Sequence, residues 1–140
     1  MTDSRLRVAI LVLAAAGAGI AGYLLYERWT GGAPVCGTGG CEIVQHSKYS
    51  KIAGLPVALL GLIAYVAIFV TAVSRAELAR AAGAAIALGG LVFAVYLIYV
   101  QAALIDAFCQ WCLASDVVIA LLAVVTSLRL LRTGPVEQPA

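Results

Sequence analysis

Charge is scarce in this chain. Only 11% of its residues are charged and 64% are hydrophobic, whereas an ordinary soluble domain is about a quarter charged and about half apolar. A fold of 140 residues has too small a core to bury that much apolar surface, so lipid must cover the rest. The net charge of +2 gives no footing for nucleic acid. There is no alternating, barrel-like hydrophobic pattern, which leaves helices as the way to satisfy the backbone in a bilayer. Histidine is down to one residue, His46, in a polar stretch where a surface role outweighs a proton shuttle. Residue 113 is leucine, and a c-type haem needs histidine directly after C-x-x-C, so haem attachment is excluded.

What is present is apolar and long. A helix needs roughly 20 apolar residues to cross the hydrocarbon core. Four stretches qualify, at about 8–26, 55–73, 81–105 and 109–128. The sequence therefore predicts an all-α integral membrane protein, a bundle of four transmembrane helices forming a single domain over 1–140. The first stretch has a basic start and small residues at Ala14-Ala15-Ala16, as a signal peptide would. Its apolar run continues to Tyr26, so it is expected to stay as an anchor.

Basic residues set the orientation. Arg5, Arg7, Arg75, Arg80, Arg129 and Arg132 fall on one side, and Arg28, Lys48 and Lys51 on the other. Both termini and the short second loop are expected in the cytoplasm. The long loop at about 27–54 and the turn near Asp106 are expected outside it. Small residues at every fourth position, such as Ala14, Ala18 and Gly22, or Ala79, Gly83 and Ala87, allow close helix packing in lipid.

The four cysteines form two pairs, and this orientation puts all of them on the oxidising side. Cys36 and Cys41 bracket Gly37-Thr38-Gly39-Gly40, a soft loop that can close a disulfide and reopen. A static staple is the alternative, but so short a loop gains little from one. Cys109 and Cys112 form a C-x-x-C at the start of the last helix, where the helix end favours a thiolate. Spacing of i, i+3 puts both sulfurs on one face. Asp116 shares that face, roughly 10 Å further along at 1.5 Å per residue. A carboxyl inside a span is costly and points to function, here a hydrogen bond or proton for a bound acceptor. The competing reading is a structural carboxyl bonded to Ser115 or a tyrosine. Trp111, Phe108, Tyr96 and Tyr99 gather near the same membrane face, as walls for a flat ligand or as an interfacial belt. Two dithiol pairs in sequence are suited to passing an electron pair by thiol–disulfide exchange. A cysteine-bearing metal carrier or a structural membrane subunit are the non-enzymatic alternatives. The first predicts loss of function with chelators, the second no redox phenotype for Cys112→Ser.

An ordered set of residues resembles the vitamin K epoxide reductase family, bacterial branch. It comprises the Cys36/Cys41 loop, Ser47 six residues past the second cysteine, Gly54 and Pro56 entering the second span, Gly61, Tyr65, and the final C-x-x-C. The resemblance implies a quinone-dependent thiol–disulfide oxidoreductase that supports disulfide formation. Cys36 would meet the partner's cysteines, Cys41 would pass electrons to Cys109, and Cys112 would reduce the quinone. Ser47, Ser50, Asp116, Trp111 and Phe108 are the candidate quinone contacts. Animal members have asparagine at the position matching Ser50 and tyrosine at that matching Asp116. The implied cofactor is a menaquinone, a ubiquinone or a vitamin K type quinone, or its epoxide. Many bacterial relatives carry a fused thioredoxin-like domain; only about a dozen residues follow Leu128 here. A separate thioredoxin-fold, DsbA-like partner is therefore expected, at a bacterial inner (cell) membrane. The DsbB type of disulfide oxidase does a similar job on four helices, but its C-x-x-C lies in the first extracytoplasmic loop. The order of pairs here is the reverse.

Overall fold

The structure is a computed structural model that describes residues 3–30, 51–52, 55–106 and 109–132. Cys36, Cys41, His46, Ser47, Ser50 and Phe108 lie outside the described residues. Helix α1 spans Asp3–Thr30. Two short strands, β1 (Lys51–Ile52) and β2 (Leu55–Pro56), pair antiparallel, with Lys51 opposite Pro56 and Ile52 opposite Leu55. Helix α2 follows at Val57–Val73 and α3 at Glu77–Tyr99. The chain then passes through a π-turn, Val100–Ile105, and ends in α4, Gln110–Arg132.

Among the described residues, three helical segments are long and apolar enough to cross a membrane: Ser4–Thr30, Glu77–Ile105 and Gln110–Arg132. Helix α2 has 17 residues, at the short end of what spans a core about 30 Å thick. Its start differs from the sequence expectation of 55. Pro56 sits extended, at φ −61° and ψ 139°, and serves as the residue before the first helical turn. Proline suits a helix start because its missing N–H is one that a helix leaves unused there. The first helix runs further than expected, to Thr30, whose hydroxyl donates to the Tyr26 carbonyl at 2.9 Å. The third span is not one continuous α-helix: regular turns stop at Tyr99.

The four helices form a ring in chain order. Helix α1 packs on α2 and α4, and α3 packs on the same two. The centre holds Ile10, Ala14, Tyr65, Ile68, Ala87 and Leu122, with alanines between them. The outer side is apolar too, with Val12, Val70, Val92 and Val124 exposed. Helices apolar on all sides belong in lipid. On α1 the buried stripe is Ile10, Ala14, Gly17, Ala21 and Leu24, following the 3.6-residue turn. The four-residue spacing of Ala14, Ala18 and Gly22 drifts off that stripe, and a Cβ on Gly22 would meet nothing within 4 Å. Gly17 is the position that needs glycine, because a Cβ there would collide with the Tyr65 ring.

One end of the ring is built by arginine. Arg7 donates from Nε to the Ala72 carbonyl and from Nη2 to that of Val73, both at 2.9 Å. Arg129 Nη2 donates to the Ser74 carbonyl at 3.3 Å, and Arg80 Nη1 to that of Arg75 at 2.8 Å. The Ala72, Val73 and Ser74 carbonyls close α2 and have no partner inside that helix, and the Arg75 carbonyl belongs to the turn that follows. The up-and-down course brings Arg5, Arg75 and Arg132 to this same end. The C-x-x-C lies at the other.

Candidate active site

At Asp106 the backbone turns left-handed, with φ 56°. Aspartate tolerates this conformation better than most residues. Its N–H reaches back five residues to the Gln101 carbonyl, which makes the preceding turn a π-turn. Cys109 then stands at the residue before α4 and caps it. Its Sγ accepts the Cys112 N–H at 3.3 Å, and its carbonyl accepts the Leu113 N–H at 2.9 Å. A serine or threonine oxygen performs the same task at ordinary helix starts. The Cys109 N–H is in turn held by Gln101 Oε1 at 2.9 Å. Cys109 is fully buried among Ile105, Trp111 and Cys112.

Below this turn, between all four helices, lies a cavity of about 270 Å³. Gly61, Tyr65 and Phe93 form part of its wall, and Gln101, Cys112 and Asp116 bring it polar atoms. Cys112 and Asp116 thus share the face that the i, i+4 spacing predicts. Cys109 does not line the cavity; its sulfur turns into the helix start instead.

Asp116 is only 8% exposed, and among the described residues its Oδ2 has no hydrogen-bond partner. The nearby hydroxyls are committed elsewhere. Tyr65 donates to the Ser115 carbonyl at 2.8 Å and shares a hydrogen bond with the Ser115 hydroxyl at 2.7 Å. Ser115 therefore binds the tyrosine across 50 residues of sequence, not the carboxyl beside it. A buried carboxyl oxygen without a partner is costly. It is accounted for when a bound molecule supplies the missing polar atom.

The aromatics divide. Trp111 packs on Tyr23 of α1, with ring centroids 5.1 Å apart and planes tilted by 56°, and is not part of the cavity wall. Tyr96 and Tyr99 are exposed on the outer side of α3. Among the described residues, the aromatic side chains that line the cavity are those of Tyr65 and Phe93. Gln101 and Phe93 were not singled out from sequence. Gln101 had one legible sign, a lone amide inside the apolar run 91–105.

A mostly apolar, partly enclosed chamber with a few polar groups is the usual form of a small-molecule site, from about 300 Å³ upward. The chamber here suits a ring-sized head group, and a cysteine sulfur and a carboxyl reach it from one helix. A comparison with family models matches residues 8–127 to the vitamin K epoxide reductase family. The match takes in most of every helix and both cysteine pairs. The chain belongs to the vitamin K epoxide reductase family, whose members are membrane oxidoreductases linking thiols to quinones.

Proposed function

We propose that this protein oxidises a separate thioredoxin-fold, DsbA-like partner and reduces a membrane quinone, so supporting disulfide formation outside the cytoplasm. The partner's dithiolate attacks the Cys36–Cys41 disulfide and leaves as a disulfide. Reduced Cys41 then attacks Cys109 of the Cys109–Cys112 disulfide, which regenerates Cys36–Cys41 and leaves the second pair reduced. The Cys109–Cys112 dithiol gives two electrons and two protons to the acceptor, with Cys112 nearest it, and returns to the disulfide. A quinone, when bound, supplies the two-electron, two-proton sink. The net reaction is protein dithiol plus quinone giving protein disulfide plus quinol.

The observation that carries this is the cavity itself, lined by Cys112 and by Asp116, whose Oδ2 has no partner among the described residues. Its apolar wall, lined in part by Tyr65 and Phe93, suits a flat quinone ring. Asp116 would hold a proton or hydrogen bond against the acceptor's oxygen. Ser47 and Ser50 are offered as further contacts on the strength of the family resemblance, and Phe108 as an aromatic beside the C-x-x-C; Trp111, held against Tyr23 outside the cavity wall, is not among them. The quinone is a menaquinone or ubiquinone, or of the vitamin K type, its epoxide included. The protein would sit in a bacterial inner membrane, with both termini cytoplasmic and the cysteines outside.

The relay is tested by trapping. In Cys36→Ala protein oxidised by quinone, Cys41 attacks Cys109 of the Cys109–Cys112 disulfide and Cys112 leaves as the thiolate, but no Cys36 thiol remains to release Cys41. A Cys41–Cys109 disulfide should accumulate and be found by non-reducing peptide mass spectrometry. Its absence from Cys36→Ala protein whose Cys109–Cys112 pair is oxidised would overturn the relay order. The order of the pairs and the family match together favour this family over the DsbB type.

A further inference from the structure

Gln101 is 1% exposed, inside a run of apolar residues. Its amide orientation is fixed, because the Cys109 N–H can only donate and so must face the oxygen, 2.9 Å away. The amide nitrogen then carries two hydrogens. Among the described residues it meets only the Leu97 carbonyl, at 3.5 Å, the outer limit of a hydrogen bond. The side chain also lines the cavity. The π-turn is what makes this possible: it begins at Val100, and Gln101 is the carbonyl that closes it. Single π-turns recur at functional sites because they shift side chains out of α-helical register.

We propose that Gln101 positions the Cys109–Cys112 turn and, with its amide N–H, recognises a carbonyl oxygen of the acceptor in the cavity. The proposal rests on the quinone-reductase function above and extends it to specificity. One amide joins the two: its oxygen holds the backbone of Cys109 and its nitrogen points to the acceptor. An acceptor oxygen on Nε2 polarises the amide and strengthens its hold on Cys109. Acceptor occupancy and the thiol chemistry of the pair are thereby coupled, and such coupling acts equally in both directions.

Two substitutions separate the functions. Gln101→Met keeps length and volume but loses both hydrogen bonds, and the flexible thioether fills the space. Gln101→Glu keeps an oxygen for the Cys109 N–H and loses the amide donor. Two readouts are used on the full chain in detergent. One is the equilibrium of the Cys109–Cys112 pair with glutathione buffers, in a Cys36→Ser/Cys41→Ser background and without quinone. The other is KM for a short-chain ubiquinone with all four cysteines present. Gln101→Met should shift the glutathione equilibrium and raise KM, each about tenfold, the change expected from one hydrogen bond. Gln101→Glu should raise KM about as much but leave the equilibrium within about threefold of the parent protein. Wild-type values of both in Gln101→Met would overturn the proposal, as would an unchanged KM in Gln101→Glu. A parent protein that reduces no quinone would sink the proposed function instead, and the glutathione equilibrium would still decide whether Gln101 holds the pair.

Discussion

Asp116 is the residue on which stability and function pull apart. Its Oδ2 is buried without a partner among the described residues, and replacing such a group by an apolar one of similar shape is neutral or stabilising. Asp116→Leu should therefore raise the thermal midpoint in detergent, by the equivalent of about 1–3 kcal/mol. It should also slow acceptor reduction at least tenfold, while the first, single-turnover oxidation of the partner by the loop pair continues. Asp116→Asn should slow reduction likewise. A lower midpoint with unchanged turnover would instead mark a structural carboxyl. That Cys112 and Asp116 share a face was legible in the sequence, because i, i+4 neighbours on a helix need only the 3.6-residue period. That Ser115 is taken by Tyr65 was not legible. Both residues stood out, but their meeting depends on how α2 lies against α4.

Two local features carry the elements. The end of α2 is closed by Arg7 and Arg129, which reach across from α1 and α4 to carbonyls that the helix leaves open. Arg7→Ala removes two of these bonds and should lower stability by about 1–3 kcal/mol, at about 0.5–1.5 kcal/mol per bond. Thermal unfolding in detergent measures this. A change within error would show that solvent or headgroups replace the guanidinium. Gly17 decides how closely α1 and α2 approach, since a Cβ there would collide with Tyr65. Gly17→Val should destabilise by about 1–3 kcal/mol, the usual cost of overpacking, and should displace the Tyr65 hydroxyl from Ser115. Tyrosine fluorescence is ambiguous with six tyrosines, so the second effect is best read from the thermal midpoint of Gly17→Val combined with Tyr65→Phe. If the two substitutions act through the same contact, their costs will not add. The sequence placed small residues on α1 but chose a four-residue spacing. The helix repeats at 3.6, and the stripe therefore passes through Gly17. The π-turn was hidden for a related reason: nothing in the apolar run 91–105 breaks the α pattern, and the change of register arises where Asp106 turns left-handed.

At the scale of the molecule, the helix ring has two different ends. Arginines lock one through backbone carbonyls, and the other opens the last helix with a cysteine pair above a chamber. The low charge and the long apolar runs made the membrane class and the helical architecture readable from composition alone. The chamber was not readable, because its wall draws on all four helices and no single segment announces it. Its chemistry rests on Cys112, which alone of the C-x-x-C reaches the cavity. The most direct measurement is quinone reduction by the full chain in detergent, supplied with a reduced thioredoxin-fold substrate and with ubiquinone or menaquinone. The parent protein should produce quinol and partner disulfide in equal amounts, and Cys112→Ala should fall to the background rate. Quinol production that persists in Cys112→Ala would contradict the assignment.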